Sequence, residues 1–230
     1  MDIIKEFQKL ENPEKAIHLQ RFFKTGKGQY GEGDIFLGIT VPEQRKIANK
    51  FNLSLDELQK LLDSKIHEHR LTSLFILNKK FKKADKREKQ EIFDFYLKNV
   101  NKSNINNWDL VDSSAHKIIG NFLEDKDRKI LYNLAKSKNL WEKRISIISA
   151  FWFIKNNEFQ DAINLAEILL NDKHDLIHKA VGWMLREIGK RDKSVLINFL
   201  NKHSKKMPRT MLRYSIEKLN KNEKQKYMKK

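Results

Sequence analysis

The chain has 230 residues, 47 Lys+Arg against 30 Asp+Glu for a formal charge of +17, and 40% hydrophobic side chains, enough to bury a core and basic enough to favour polyanions as partners. The lack of cysteine excludes disulfides, thiol nucleophiles and cysteine zinc sites, so any chemistry falls to carboxylates, histidines or hydroxyls. No run of about 18 apolar residues is present and MDIIKEFQKLENPEK has no secretory apolar region, so an intracellular, cytoplasmic protein without a membrane is expected, with nucleic acid as partner.

Three prolines, eight glycines and apolar residues recurring at intervals of three and four predict helix almost throughout and no strand. Helices are expected over 2–10, 13–24, 42–51, 54–63, 66–80, 85–99, 107–123, 126–137, 140–155, 158–171, 175–190, 193–205 and 208–219. One domain over 1–220 is followed by a basic tail, 221–230, read as frayed.

After the helix AIHLQRFFKT comes GKGQYG, in which Gly26, Gly28 and Gly31 match the spacing of a dinucleotide-binding loop. That fingerprint needs a strand before it and a helix after it. Here a helix precedes and EGDIFLGITVP follows, so the stretch reads as a flexible loop leading to a helix near Pro42. The run KKFKKADKREK reads as solvated surface.

NINNWDLVDSSAHKIIG opens the 107–123 helix. With Asn106 or Asn107 as N-cap, Trp108 begins it, and Val111, Ala115, Ile118, Ile119 and Phe122 share an apolar face. Trp108 and Asp112, four apart, lie together at the edge of that face. Asp109 and Asp112 complement the helix dipole in the first turn, which explains the acids but not the tryptophan beside them. Ser113 and Ser114 lack the glycine-framed elbow of a serine hydrolase.

Further along, Trp141 reads as packing at a helix start and Trp152 as core. HDLIH sets His174 and His178 four apart, but Asp175 as N-cap would leave His174 outside the helix. A glutamate base and a third ligand are also missing, so no metal is expected. In KAVGWML, Trp183 lies one turn after Lys179.

HEHRLTSLFIL, WEKRISIISAF, LIHKAVGWML and TMLRYSIEKL each put a basic residue ahead of an apolar helix body: Arg70, Arg144, Lys179 and Arg213. The last two steps are close to a two-helix repeat of about 35 residues, and the first is about twice that. Asp112 falls in the gap, one carboxylate in a column of cations. Stacked helical pairs would line this column along a concave groove suited to a phosphate backbone.

WDLVDSSA, WEKR and KAVGWMLRE, with YGEGDIFLGITVPEQR near the N-terminus, resemble the AlkD-type DNA alkylation repair proteins, alkylpurine DNA glycosylases built from HEAT-like repeats, over about residues 10–219. The resemblance implies a curved all-α solenoid of HEAT-like antiparallel helical pairs; the near-regular spacing and the lack of metal-ligand patterns lead to the expectation of a monomer without cofactor. The solenoid would hold duplex DNA in its concave face and hydrolyse the N-glycosidic bond of N3- or N7-alkylated purines. It puts the catalytic aspartate on Asp112, its neighbouring tryptophan on Trp108, an arginine on Arg144 and a second tryptophan on Trp183. Arg45, Arg70, Lys179 and Arg213 are the expected DNA contacts. A scaffold that grips branched or distorted DNA without chemistry is the alternative. A HEAT-type protein scaffold is a third reading, which the positive charge disfavours.

Overall fold

Capping residues set where the helices begin. A computed structural model describes residues 2–228, in which helices follow one another through short connections except for the long stretch 23–40. The helices are α1 (Asp2–Gln8), α2 (Pro13–Phe22), α3 (Val41–Lys50), α4 (Leu55–Leu62), α5 (His67–Lys83), α6 (Lys86–Asn101), α7 (Trp108–Ala115), α8 (Lys129–Ala135), α9 (Leu140–Ser149), α10 (Phe151–Lys155), α11 (Gln160–Ile168), α12 (Asp175–Gly189), α13 (Lys193–His203), α14 (Arg209–Ser215) and α15 (Lys221–Met228). Thr40 with Glu43, Ser54 with Glu57 and Asp85 with Glu88 form reciprocal capping boxes ahead of α3, α4 and α6. Among the described residues, strand-like pairing is limited to one parallel bridge between Ile35 and Ile66. The fold class is all-α.

The backbone clusters into two compact units, Met1–Ser114 and Ala115–Lys230. In the first, α5 is central and packs against α3, α4 and α6. Its apolar stretch is buried through Leu77, and Leu58, Leu61 and Leu62 of α4 close over it. Each such side chain contributes about 1.5–3 kcal/mol on leaving water. In the second unit α12 is central, packing against α9, α13 and α14. Gly182 permits the approach of α14, because a Cβ there would meet the Met211 carbonyl oxygen at 2.6 Å.

Three elements differ from the sequence reading. The expected 107–123 helix widens into a π turn over His116–Gly120, and Gly120 lies so close to Ser149 that a Cβ would come within 2.3 Å of its carbonyl oxygen. The expected 140–155 helix breaks at Ala150 into α9 and α10. The tail is not frayed up to Met228: Asn220 and Glu223 cap α15 reciprocally, and Tyr227 is buried with its hydroxyl donating to Asn201 at 2.9 Å. Residues 229 and 230 of that tail lie outside the described residues.

Between α2 and α3 the chain turns at Gly28, Gly33 and Gly38, all at positive φ. Gly38 has no room for a side chain, since a Cβ would sit 2.1 Å from the Asn12 carbonyl oxygen, whereas Gly28 has nothing within 4 Å. Both positions strain a non-glycine residue, but only Gly38 adds a backbone clash. Gly38→Ala is therefore expected to destabilise by roughly 1–3 kcal/mol or more and Gly28→Ala by less, measured by urea unfolding.

Candidate functional site

The first turn of α7 is set by Asn107, which resolves the choice of N-cap. Its Oδ1 accepts the Trp108 N–H at 2.8 Å, its carbonyl accepts the Val111 N–H, and its Nδ2 donates to Asp34 at 3.1 Å. Trp108 lies face to face with Phe23, ring centroids 5.2 Å apart and planes within 6°, while Phe22 meets it edge-on. Asp112 follows one turn later, half-buried. Burial pushes the Tyr96 phenol far up, a Ser114 hydrogen bond opposes this, and the charge of Asp112 pushes it further. The neighbouring Ser114 is occupied structurally: its hydroxyl donates to the Leu110 carbonyl oxygen and meets the Tyr96 hydroxyl at 2.9 Å.

Behind this turn lies a buried ionic cluster that the sequence reading did not find. His67, at the start of α5, bonds Asp34 of the glycine loop through Nδ1 at 3.0 Å and Asp109 of α7 through Nε2 at 2.8 Å. Burial pulls its pKa down, but the Asp109 charge and the hydrogen bonds to Asp109 and Asp34 outweigh burial and the opposing Arg70, and push the imidazole up to about 9. It is therefore an imidazolium near neutral pH. For Asp34, burial raises the pKa, and the His67 bond and Arg70 charge overcome it, holding the carboxyl below its ordinary range. Phe36 and Phe23 flank the His67 ring at 4.6 and 4.9 Å, faces that favour a cation. Next to it, Glu68 is fully buried and accepts the backbone N–H groups of Leu37, Gly38 and Ile39, fastening the loop to α5.

The loop itself is no phosphate cradle. The Gly26 N–H is taken by the Gln29 side chain and the Gly28 N–H by Glu32. A cavity of about 330 Å³ lies between α2 and the loop, with Phe23, Phe36, His67, Glu68 and Asp109 in its walls.

The expected basic residues are distributed unevenly. Arg70 is only 4% exposed, with one end of its guanidinium on Asp34 and the other on Asn106 at 2.6 Å, so the structure turns it into the interior of the first unit. Arg45 is exposed on α3, its guanidinium over the Phe75 ring at 4.1 Å. In the second unit Arg144 is also 4% exposed and donates to the Leu176 carbonyl oxygen in the first turn of α12. Lys179, half-exposed on α12, pairs with Asp175 at 2.7 Å, and Arg213 is exposed on α14. Trp183, also half-exposed, donates from Nε1 to Glu187 at 3.2 Å and lies beside Phe151 at 5.7 Å. Trp141 is buried at the start of α9, whereas Trp152 is half-buried on α10.

The N-cap of α12 is His174, not Asp175: its Nδ1 accepts the Leu176 N–H at 3.1 Å. His178 Nε2 lies 2.5 Å from the Asp172 carbonyl oxygen. Each histidine thus serves its own helix end. Among the described residues no group of three or more His, Cys, Asp or Glu is arranged to hold a metal, and no helix is long and apolar enough to cross a membrane.

A family model described as DNA alkylation repair enzyme matches residues 3–219. No curated protein matches the chain. Among solved structures, a predicted DNA alkylation repair enzyme from Enterococcus faecalis is similar at a TM-score of 0.69 and 15% identity, over 92% of this chain and 97% of that one, a likeness of fold.

The buried imidazolium also sets a pH dependence. Because its folded pKa is raised from 6.5 to about 9, the stability it contributes is full below about pH 6.5 and is lost as pH rises through about 9. Burial pulls His69 down to about 4, so on the acid side the unfolded chain takes up that proton first and stability falls below about pH 6.5. Urea midpoints are expected to be highest near neutrality, and His67→Asn should flatten the alkaline limb. An unchanged limb would mean that His67 is neutral in the fold.

Proposed function

Since the chain belongs to the family of DNA alkylation repair enzymes, we propose that it is a DNA glycosylase that hydrolyses the N-glycosidic bond of N3- and N7-alkylated purines in duplex DNA, with Asp112 as its catalytic carboxylate. The observation that carries this reading is the pair on α7: a half-buried Asp112 one turn after a Trp108 whose ring is held by Phe23.

Alkylation at N3 or N7 makes the purine a cation, so it leaves without being protonated. The C1′–N bond breaks with its electron pair going to the base, and positive charge develops on the sugar. A carboxylate beside C1′ stabilises that charge and orients the water that adds to C1′, whose released proton the carboxylate or solvent accepts. The products are a free neutral base and an abasic site. Trp108 offers a rigid aromatic face, worth about 0.5–2 kcal/mol toward a cation and able to exclude water. In the second unit Trp183 is a half-exposed aromatic face, whereas Arg144, expected as a phosphate contact, is buried on the Leu176 carbonyl oxygen and instead holds the start of α12. Arg45, Lys179 and Arg213 supply backbone contacts, consistent with a formal charge of +17. Arg70 works from inside, through Asp34.

Asp112→Asn keeps size and most hydrogen bonding but removes the charge. Release of 7-methylguanine from duplex DNA is expected to slow by ~10²–10³, the usual loss for one electrostatic stabiliser, with DNA affinity retained. Full activity in this variant would remove Asp112 from the chemistry. A wild-type chain that binds DNA, with affinity falling steeply as salt rises, yet never releases base would support the non-catalytic binder.

A further inference from the structure

We propose that His67 is a positioning residue: by bonding Asp34 of the glycine loop through one ring nitrogen and Asp109 of α7 through the other, it locks the first turn of α7, and with it Trp108 and Asp112, against the loop. The catalytic half of this inference rests on the glycosylase reading; the structural half does not.

Two carboxylates on opposite sides of one imidazole can both be satisfied only if both ring nitrogens carry hydrogen, because a neutral ring turns a lone pair toward one of them. The two carboxylates are not equally secured. Asp34 is also held by Arg70 and by Asn107. Asp109 takes the adjacent Leu110 N–H on its other oxygen, and His67 ties it to another element. A lost proton or a lost imidazole therefore releases Asp109 first, and with it the turn that carries Trp108. The other charged or titratable groups around the ring are Arg70 and Glu68 of α5, and Lys15 and His18 of α2 across the cavity.

This gives the glycine loop a task. Its turns deliver Asp34 and Phe36 to His67, and Gly31 packs so tightly that a Cβ would sit 2.5 Å from the Phe23 carbonyl oxygen, just where Phe23 presents its ring to Trp108. Loop, α5 and α7 thus meet on one side chain. Misplacing a catalytic group by about 1 Å can cost on the order of 10²-fold in rate without touching binding.

His67 and Asp109 border the 330 Å³ cavity, so free imidazole has a route to the space that His67→Ala would open. The test measures single-turnover release of 7-methylguanine and DNA affinity for the wild type and His67→Ala, with and without imidazole. In parallel the indole N–H resonance of Trp108, identified by its loss in Trp108→Phe, is followed in both proteins. The expected result is a rate on the order of 10²-fold lower, affinity within about twofold of wild type, partial recovery with imidazole, and a Trp108 resonance that shifts in the variant and returns with imidazole. The wild-type rate should also fall as pH rises through about 9, and the variant's should not. Wild-type activity in His67→Ala, or a slow variant whose Trp108 resonance is unmoved and which imidazole does not help, would overturn the proposal. If His67→Ala does not fold, Asp109→Asn decides it: the same rate loss and Trp108 shift, insensitive to imidazole, support the clamp, and wild-type behaviour overturns it. If the wild type releases no base, the glycosylase reading fails and the clamp stands or falls on the Trp108 resonance alone.

Discussion

One turn of α5 holds the first unit together. His67, Glu68, His69 and Arg70 are four consecutive ionisable residues, a composition expected on a solvated face, yet all are buried. Each gains a partner far along the chain or in a neighbouring ring. His67 and Arg70 meet Asp34, His67 meets Asp109, Glu68 collects three loop amides, and His69 packs its ring on Phe7 at 4.5 Å. Burying the His67 or Arg70 cation alone would cost several kcal/mol. Grouped as two cations against two carboxylates, with the third carboxylate on backbone N–H groups, the desolvation is offset by short hydrogen bonds. Removing one member leaves its partner stranded in the interior, which is why the loop, α5 and the start of α7 behave as one piece.

That piece decides what the surface can show. Phe23 ends α2, Asp34 and Phe36 come from the loop, and Trp108 begins α7, so the aromatic stack under Trp108 and the ionic cluster beneath it are built from the same three segments. Phe23 backs the Trp108 ring, and Phe22 meets it edge-on. In the second unit the logic is steric instead. Gly120 and Gly182 bring the π turn against α9 and α14 against α12, and Arg144 spans from α9 to the start of α12 through the Leu176 carbonyl oxygen.

Local pattern reveals the helical class and the start of α7 at Trp108, because these depend on caps and on the helical repeat. It does not reveal the direction of long side chains. Arg70 and Arg144 have the spacing of a surface column, but their acceptors, Asp34 and the Leu176 carbonyl, lie more than thirty residues away in sequence and draw them inward. Asp109 reads locally as a dipole complement, but its partner His67 lies 42 residues earlier. A usable signal did exist: HEHR at the head of an apolar helix is too polar to bury without acids elsewhere, and GEGD supplies one of them. The tail differs for the opposite reason. Its charge run masked a capping box, Asn220 with Glu223, and an apolar anchor in Tyr227.

On the proposed reading this chain breaks a glycosidic bond. Product analysis tests it most directly: wild-type protein is incubated with duplex DNA carrying a single N7-methylguanine, without added metal, and both fragments are identified by mass. The expected products are intact 7-methylguanine in solution and an abasic site at the position it left. DNA that keeps the lesion, or regains unmodified guanine with no free base released, would contradict it.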